Sequence, residues 1–191
     1  MSKVVIVTGV PGSGKSTIIN EALDGLKSKG IEYALMNYSD VMFELMRGEG
    51  GVSHRDDLRK VPMGRYRQVQ LKAAQQIARA AAQWPILLNT HCRIKKPEGY
   101  YPGLPRQVLE QLSPELIILA EAKLKEVAGR RARERDRPRD EDLVPSIDEH
   151  QQLNRAAALA YTAISGATVE IIQNSDKGLR RAVEEVVVAM R

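Results

Sequence analysis

A chain of 191 residues is long enough to bury its own core without staples, and length alone predicts one domain, 1–191. With 43% hydrophobic and 28% charged residues it sits near the globular average, which excludes a disordered tail or a fibrous repeat. The net charge of +5 is local: residues 130–139, RRARERDRPR, hold six arginines against two acids, and the rest of the chain carries 23 basic and 22 acidic residues.

Apolar runs of strand length alternate with helical periodicities along the chain. Val4 to Val7 is a β-branched run ending at Gly9, and from Lys15 the residues Ile18, Ile19, Ala22, Leu23 and Leu26 recur at helical spacing as far as Gly30. Ile31 to Met36 reads as a second strand, followed after Asn37-Tyr38-Ser39-Asp40 by a short helix, Val41 to Met46. Residues 64–83 form an alanine-rich helix whose inner face is Val69, Ala73, Gln76, Ile77 and Ala80, stopped by Trp84-Pro85. Ile86 to Leu88, Leu116 to Leu119 and Val169 to Ile172 complete a set of five strands. The capping box Ser146-Ile147-Asp148-Glu149 starts a helix with the apolar stripe Leu153, Ala157, Ala160, Tyr161 and Ile164. Residues 95–106 and 134–145 break the alternation and read as loops.

Continuous apolar strands separated by helices predict an α/β fold, a doubly wound five-stranded parallel sheet with helices on both faces. The two irregular stretches then lie beyond the carboxyl ends of strands, where such sheets bind ligands. No apolar run approaches the roughly 20 residues that span a bilayer. The start MSKVVIVTG is too short an apolar stretch for a secretory signal, so a cytoplasmic chain with no membrane partner is expected. The lone Cys92 excludes an internal disulfide and a Cys-rich zinc site. With eight aromatic side chains and its basicity confined to one segment, the chain lacks the base-stacking platform of a nucleic-acid binder.

Gly9-Val10-Pro11-Gly12-Ser13-Gly14-Lys15-Ser16 matches G-x-x-x-x-G-K-[ST] between a strand and a helix. The glycines let the backbone wrap a polyphosphate, and the helix N-terminus adds partial positive charge. Lys15 is placed to reach the β and γ phosphates, and the hydroxyl of Ser16 to ligate Mg²⁺. No N/T-K-x-D guanine signature is present, which argues against a GTPase switch, and the chain is too short for a motor. Arg130, Arg133 and Arg137 fall on one helical face that Pro138 ends, forming a clamp for a transferring phosphoryl group.

Taken together these segments resemble the archaeal-type adenylate kinases over essentially the whole chain: VTGVPGSGKST (Val7 to Thr17), NYSDVMFE (Asn37 to Glu44), RDDLRK (Arg55 to Lys60), THCRIKKPEGYYPGLP (Thr90 to Pro105), RPRD (Arg137 to Asp140), EHQQLNRAAA and GATVEIIQN. The resemblance implies reversible transfer between MgATP and AMP giving ADP, with Mg²⁺ as cofactor, and a homotrimer. It places the ATP phosphates on Gly9, Pro11, Gly12, Ser13, Gly14, Lys15, Ser16 and Thr17, and the adenine at Gln173 and Asn174. It places AMP at Asn37, Ser39, Asp40 and Arg59, in a monophosphate-binding region 37–64, and at His91 and Lys95 after the third strand. Lys15, Arg130, Arg137, Arg139 and Arg155 correspond to its catalytic cations, with 134–145 as a short arginine-rich lid that excludes water. The family usually ends the third strand with Asp; here stands Asn89, an amide that accepts a bond from metal-bound water but adds no charge. A broad nucleoside monophosphate kinase, and an ATP-binding assembly protein with weak hydrolysis, stand as alternatives.

Overall fold

The computed structural model describes residues 3–48, 51–96, 99–133 and 144–191. Five strands form a parallel sheet: β1 (Val4–Thr8), β2 (Ala34–Asn37), β3 (Ile86–Asn89), β6 (Leu116–Glu121) and β7 (Thr168–Gln173), in the order β2-β3-β1-β6-β7. The remaining two strands, β4 (Arg93–Lys96) and β5 (Gly99–Pro102), make a separate antiparallel hairpin. The helices are α1 (Lys15–Lys27), α2 (Tyr38–Gly48), α3 (Met63–Ala81), α4 (Arg106–Leu112), α5 (Leu124–Arg133), α6 (Val144–Ser165) and α7 (Leu179–Ala189), with a 3-10 turn at Arg55–Lys60. The expected α/β class and all five strands of the sheet are present.

β1 is buried along its whole length because both its neighbours and both its faces are covered. Its pleat sends Val4 and Ile6 to the core shared with α2, α3, α4 and α6, and Val5 and Val7 to the core shared with α1 and α7. A third, small cluster of Val10, Ala122, Val127 and Ile147 packs α5 and α6 beneath the turn that follows β1.

Several boundaries differ from the sequence expectation. The second strand begins at Ala34, not Ile31, because the chain turns out of α1 through Gly30 (φ 73°), and the Ile31 amide closes on the Leu26 carbonyl. Ile31 and Tyr33 instead pack under the sheet, with Tyr33 donating to the Met190 carbonyl at 3.0 Å. On α3, Gln76 is exposed and Gln70 is the buried glutamine, donating to the Gly103 carbonyl at 3.0 Å. Within residues 95–106, read as a loop, 95–96 and 99–102 are strands of the β4–β5 hairpin, whose Tyr101 packs edge-on against Tyr66 at 5.7 Å.

The described part of α6 starts at Val144, so Ser146 lies inside the helix and not ahead of it. Its buried face is Ile147, His150, Asn154, Ala157, Ala158 and Tyr161, whereas Ala160 and Ile164 of the expected stripe are exposed. They join Ala156, Leu159 and Ala163 in a second apolar face that no described residue covers. Helical periodicity cannot separate the two faces, since both recur at i, i+3, i+4.

Cys92 is wholly buried beneath this frame, and burial pushes its thiol up to about 11. A neutral, inaccessible thiol is a poor nucleophile. Iodoacetamide at pH 8 should therefore leave Cys92 unmodified in the native chain and alkylate it in denaturant, as read by intact mass.

Candidate functional site

The turn from β1 into α1 is the centre of the site. Gly9 has φ 149° and stands against β6: a Cβ there would overlap the Ala120 carbonyl, because the strands run in register up to Thr8 and Leu119. Only glycine fits that approach. Gly12 and Gly14 also take positive φ, 84° and 83°, and Gly14 stands at the N-cap of α1 without a side-chain cap or any acid in the first turn. The positive end of α1 is therefore left uncompensated by the helix itself.

The loop's carbonyls are tied away from that end. Arg131 Nε donates to the Pro11 carbonyl at 2.9 Å, Arg130 Nη1 to those of Gly12 and Ser13 at 3.4 and 3.2 Å, and Asn174 Nδ2 to that of Ser13 at 2.8 Å. Lys15 is buried with its Nζ donating to the Gly9 carbonyl at 2.8 Å, so the cation stays inside the loop. Ser13 Oγ is buried with no hydrogen-bond partner, an orphan that a phosphate oxygen would satisfy. Ser16 and Thr17 begin α1 with exposed side chains.

A second pocket opens beside this loop, between the carboxyl ends of β2 and β3. It is lined by Asn37, Ser39, Asn89, Thr90 and His91, with Tyr38, Met42, Tyr66 and Ile94 as its apolar wall. The turn after β3 is pinned to β1, since the Cys92 amide donates to Thr8 Oγ1 at 2.9 Å and His91 Nδ1 lies 3.4 Å from the Gly9 carbonyl. Tyr161 of α6 secures it from behind, donating to the Cys92 carbonyl at 2.7 Å. Asn89 Nδ2 donates to Asn37 Oδ1 at 2.8 Å, and among the described residues no donor reaches Asn89 Oδ1.

Four of the residues expected for AMP or the metal, Asn37, Ser39, Asn89 and His91, are thus brought together. Asp40 lies in the first turn of α2 but does not line this pocket. The side chains of Arg59 and Lys95 lie outside the described residues, as do Arg137, Arg139 and residues 134–143 of the expected lid.

Of the expected face Arg130, Arg133 and Arg137, only the first two fall within the described residues, on α5. The side of α5 turned to the loop carries Val127, Arg130 and Arg131, while Arg133 is exposed. Arg130 binds two loop carbonyls, the Asn174 carbonyl at 2.9 Å and the Asp176 carboxylate at 2.6 Å. Asn174 is likewise committed inward: its amide donates to the Glu121 carbonyl at 2.7 Å. Gln173 donates to the Glu121 carboxylate at 2.9 Å, and Arg155 forks onto the same carboxylate at 2.7 and 2.6 Å.

Sequence reasoning missed Arg131, Glu121 and Asp176. Only Glu121 carried a visible signal, an acid closing the apolar run Leu116 to Ala120.

The side chains expected at the metal, the Ser16 hydroxyl and the Asn89 amide, are uncharged, the Glu121 carboxylate is taken up by Arg155 and Gln173, and among the described residues no group of three or more His, Cys, Asp or Glu clusters. Such a set fits a hydrated Mg²⁺ that arrives with the nucleotide's phosphates and does not suit a resident metal held by protein alone.

A family model described as an AAA domain matches residues 8–148. The adenylate kinase of Methanocaldococcus jannaschii is 44% identical over 190 residues, covering 100% of this chain and 99% of its own. That of Methanopyrus kandleri is 46% identical over 193 residues with the same coverage, and that of Pyrococcus abyssi 48% over 188 residues, covering 98% of this chain and 94% of its own. A shikimate kinase from Bacteroides thetaiotaomicron shares the fold at 12% identity, with a TM-score of 0.59 over 98% of both chains. A glycine loop built for polyphosphate, a second pocket at its side and full-length relatives above 40% identity agree, and the chain belongs to the archaeal adenylate kinase family, on an AAA domain.

Proposed function

We propose that this adenylate kinase transfers the γ-phosphoryl group of ATP to AMP, reversibly, with ATP on the Gly9–Thr17 loop and AMP in the pocket between β2 and β3. The observation that carries this reading is the adjacency of the two: the 90–92 turn lines one and is bonded to the strand that bears the other. Two phosphate-bearing substrates held at neighbouring strand ends are placed for direct transfer, which needs positioning and charge stabilisation more than a nucleophile.

In this reading Lys15 leaves the Gly9 carbonyl for the β and γ phosphates, and Ser13 Oγ and the first-turn amides of α1 complete the cradle. Asn37, Ser39 and His91 hold the acceptor, assisted by Asp40 and Arg59 of the region 37–64 and by Lys95 beyond it. Arg155 and the arginines of the lid 134–145, Arg137 and Arg139, gather around the transferring group and exclude water, which would otherwise compete as acceptor. Arg130 supports the donor side by holding the loop's carbonyls outward, and Gln173 and Asn174 form the wall at the adenine end. Mg²⁺, held by Ser16 and through water by Asn89, supplies charge neutralisation on the phosphate oxygens when bound. A cytoplasmic homotrimer belongs to the same reading, and the uncovered face of α6 offers the apolar surface for that assembly.

Coupled measurement of ADP formation from ATP and Mg²⁺ should give a strong rate with AMP and weak rates with CMP, UMP and GMP. Equal rates with all four would point to a broad monophosphate kinase, and a rate no higher than the acceptor-free blank to an ATP-binding module. Asn89→Asp should lower the half-saturating Mg²⁺ by about tenfold, the scale of one added carboxylate charge acting on a divalent cation through water at roughly 5 Å. An unchanged half-saturation would remove Asn89 from the metal's surroundings. Light scattering should report a trimeric mass, and Leu159→Glu, placing a charge in the α6 face, should reduce it to the monomer; an unaltered mass would place the contact elsewhere.

A further inference from the structure

Glu121 closes β6 at the level of the glycine loop, directly after the Ala120 carbonyl that Gly9 packs against. Its side chain is 3% exposed, while that of its partner Arg155 is 52% exposed. The carboxylate accepts from Arg155 Nε on one oxygen and Nη2 on the other, at 2.7 and 2.6 Å, and from the Gln173 amide at 2.9 Å. A carboxylate so enclosed cannot turn, so it is the fixed member of the pair. Two parallel bonds set the plane of the guanidinium as well as its place, which a single contact would not do. The fork uses Nε and Nη2 of the guanidinium, while about half of the side chain stays exposed.

We propose that Glu121 is a positioning residue for phosphoryl transfer: its buried carboxylate aims Arg155 at the phosphates and, through Gln173, links that arginine to the strand bordering the adenine end. The proposal rests on the reading of Arg155 as a phosphate-binding cation. A buried acid is retained here because an arginine on a long, half-exposed side chain must otherwise be ordered at the moment of reaction. α6 carries the arginine one helical turn beyond Gln151, whose side chain accepts from the Ala122 amide at 3.4 Å, so the helix is seated on this strand end at two points.

The test is a double-mutant cycle of Glu121→Gln and Arg155→Ala in the full chain, with kcat and KM for ATP and AMP. Glu121→Gln places an amide against the guanidinium and should lower kcat by about tenfold or more while KM moves within about twofold. In the Arg155→Ala background the same change should add less than about threefold, because its target is gone. An independent readout is the Arg155 Nε–H resonance, resolved and slowly exchanging in the wild type and lost in Glu121→Gln. Equal losses in both backgrounds, or a resonance that survives Glu121→Gln, would overturn the proposal and leave Glu121 a structural acid. Should Glu121→Gln fail to fold, Arg155→Lys keeps the charge pair but not the fork; a wild-type kcat in that variant would equally overturn it. Full activity in Arg155→Ala would instead remove Arg155 from the reaction, a different failure from full activity in Glu121→Gln with Arg155→Ala inactive.

Discussion

β1 lies between β3 and β6 with every residue buried, and the turn after it can only be made by backbone that approaches β6 closely. That steric limit governs much of the site. Gly9 must lack a side chain, the loop must then climb over the strand end, and its carbonyls must go somewhere other than toward a polyphosphate. They go to Arg130, Arg131 and Asn174, two donors on α5 and one just past β7, which converge on Pro11, Gly12 and Ser13. A peptide whose carbonyl is held on one side presents its amide to the other, so the tie organises the anion-binding face before any anion arrives.

Positive charge in this protein has two separate tasks. On α5 the guanidiniums act on carbonyls and one carboxylate, as structural donors with planar, multi-point geometry. On α6 the guanidinium of Arg155 is paired with a buried carboxylate, a costly arrangement unless the carboxylate's bonds are satisfied, and here it accepts three. Arginines on different helices thus differ in what they face, and charge density alone does not say which is held by a carbonyl and which by a carboxylate. The pocket between β2 and β3 has as its polar lining Asn37, Ser39, Asn89 and Thr90, with His91 at its rim next to the glycine loop.

The central strands of the sheet were legible because parallel strands covered on both faces read as unbroken apolar runs; the edge strands β2 and β7, largely exposed, were read from shorter or interrupted apolar runs, and all five became strands. The hairpin of Arg93–Lys96 with Gly99–Pro102 was not, since its strands are four residues long and polar, and pairing is decided by partners outside each run. The glycine loop was legible to the residue, because its chemistry demands glycines and a lysine at fixed spacing in continuous backbone. The convergence of Asn37, Asn89 and His91 was expected only from a resemblance; no local pattern brings residues 52 apart into hydrogen-bond contact.

The amino-acid sequence by itself determined the strand and helix alternation, the loop from Gly9 to Ser16, and the place of Lys15 and Ser16 in it, because each depends on neighbours within a few residues. Tertiary structure alone decided which face of α6 is buried, which arginines brace the loop, and that Glu121 is enclosed with Arg155 and Gln173. Two apolar stripes on one helix have the same period, and two arginines in a row have the same chemistry. What distinguishes them is the element packed opposite, and that is set by the sheet order, β2-β3-β1-β6-β7, which is written in no single segment of the chain.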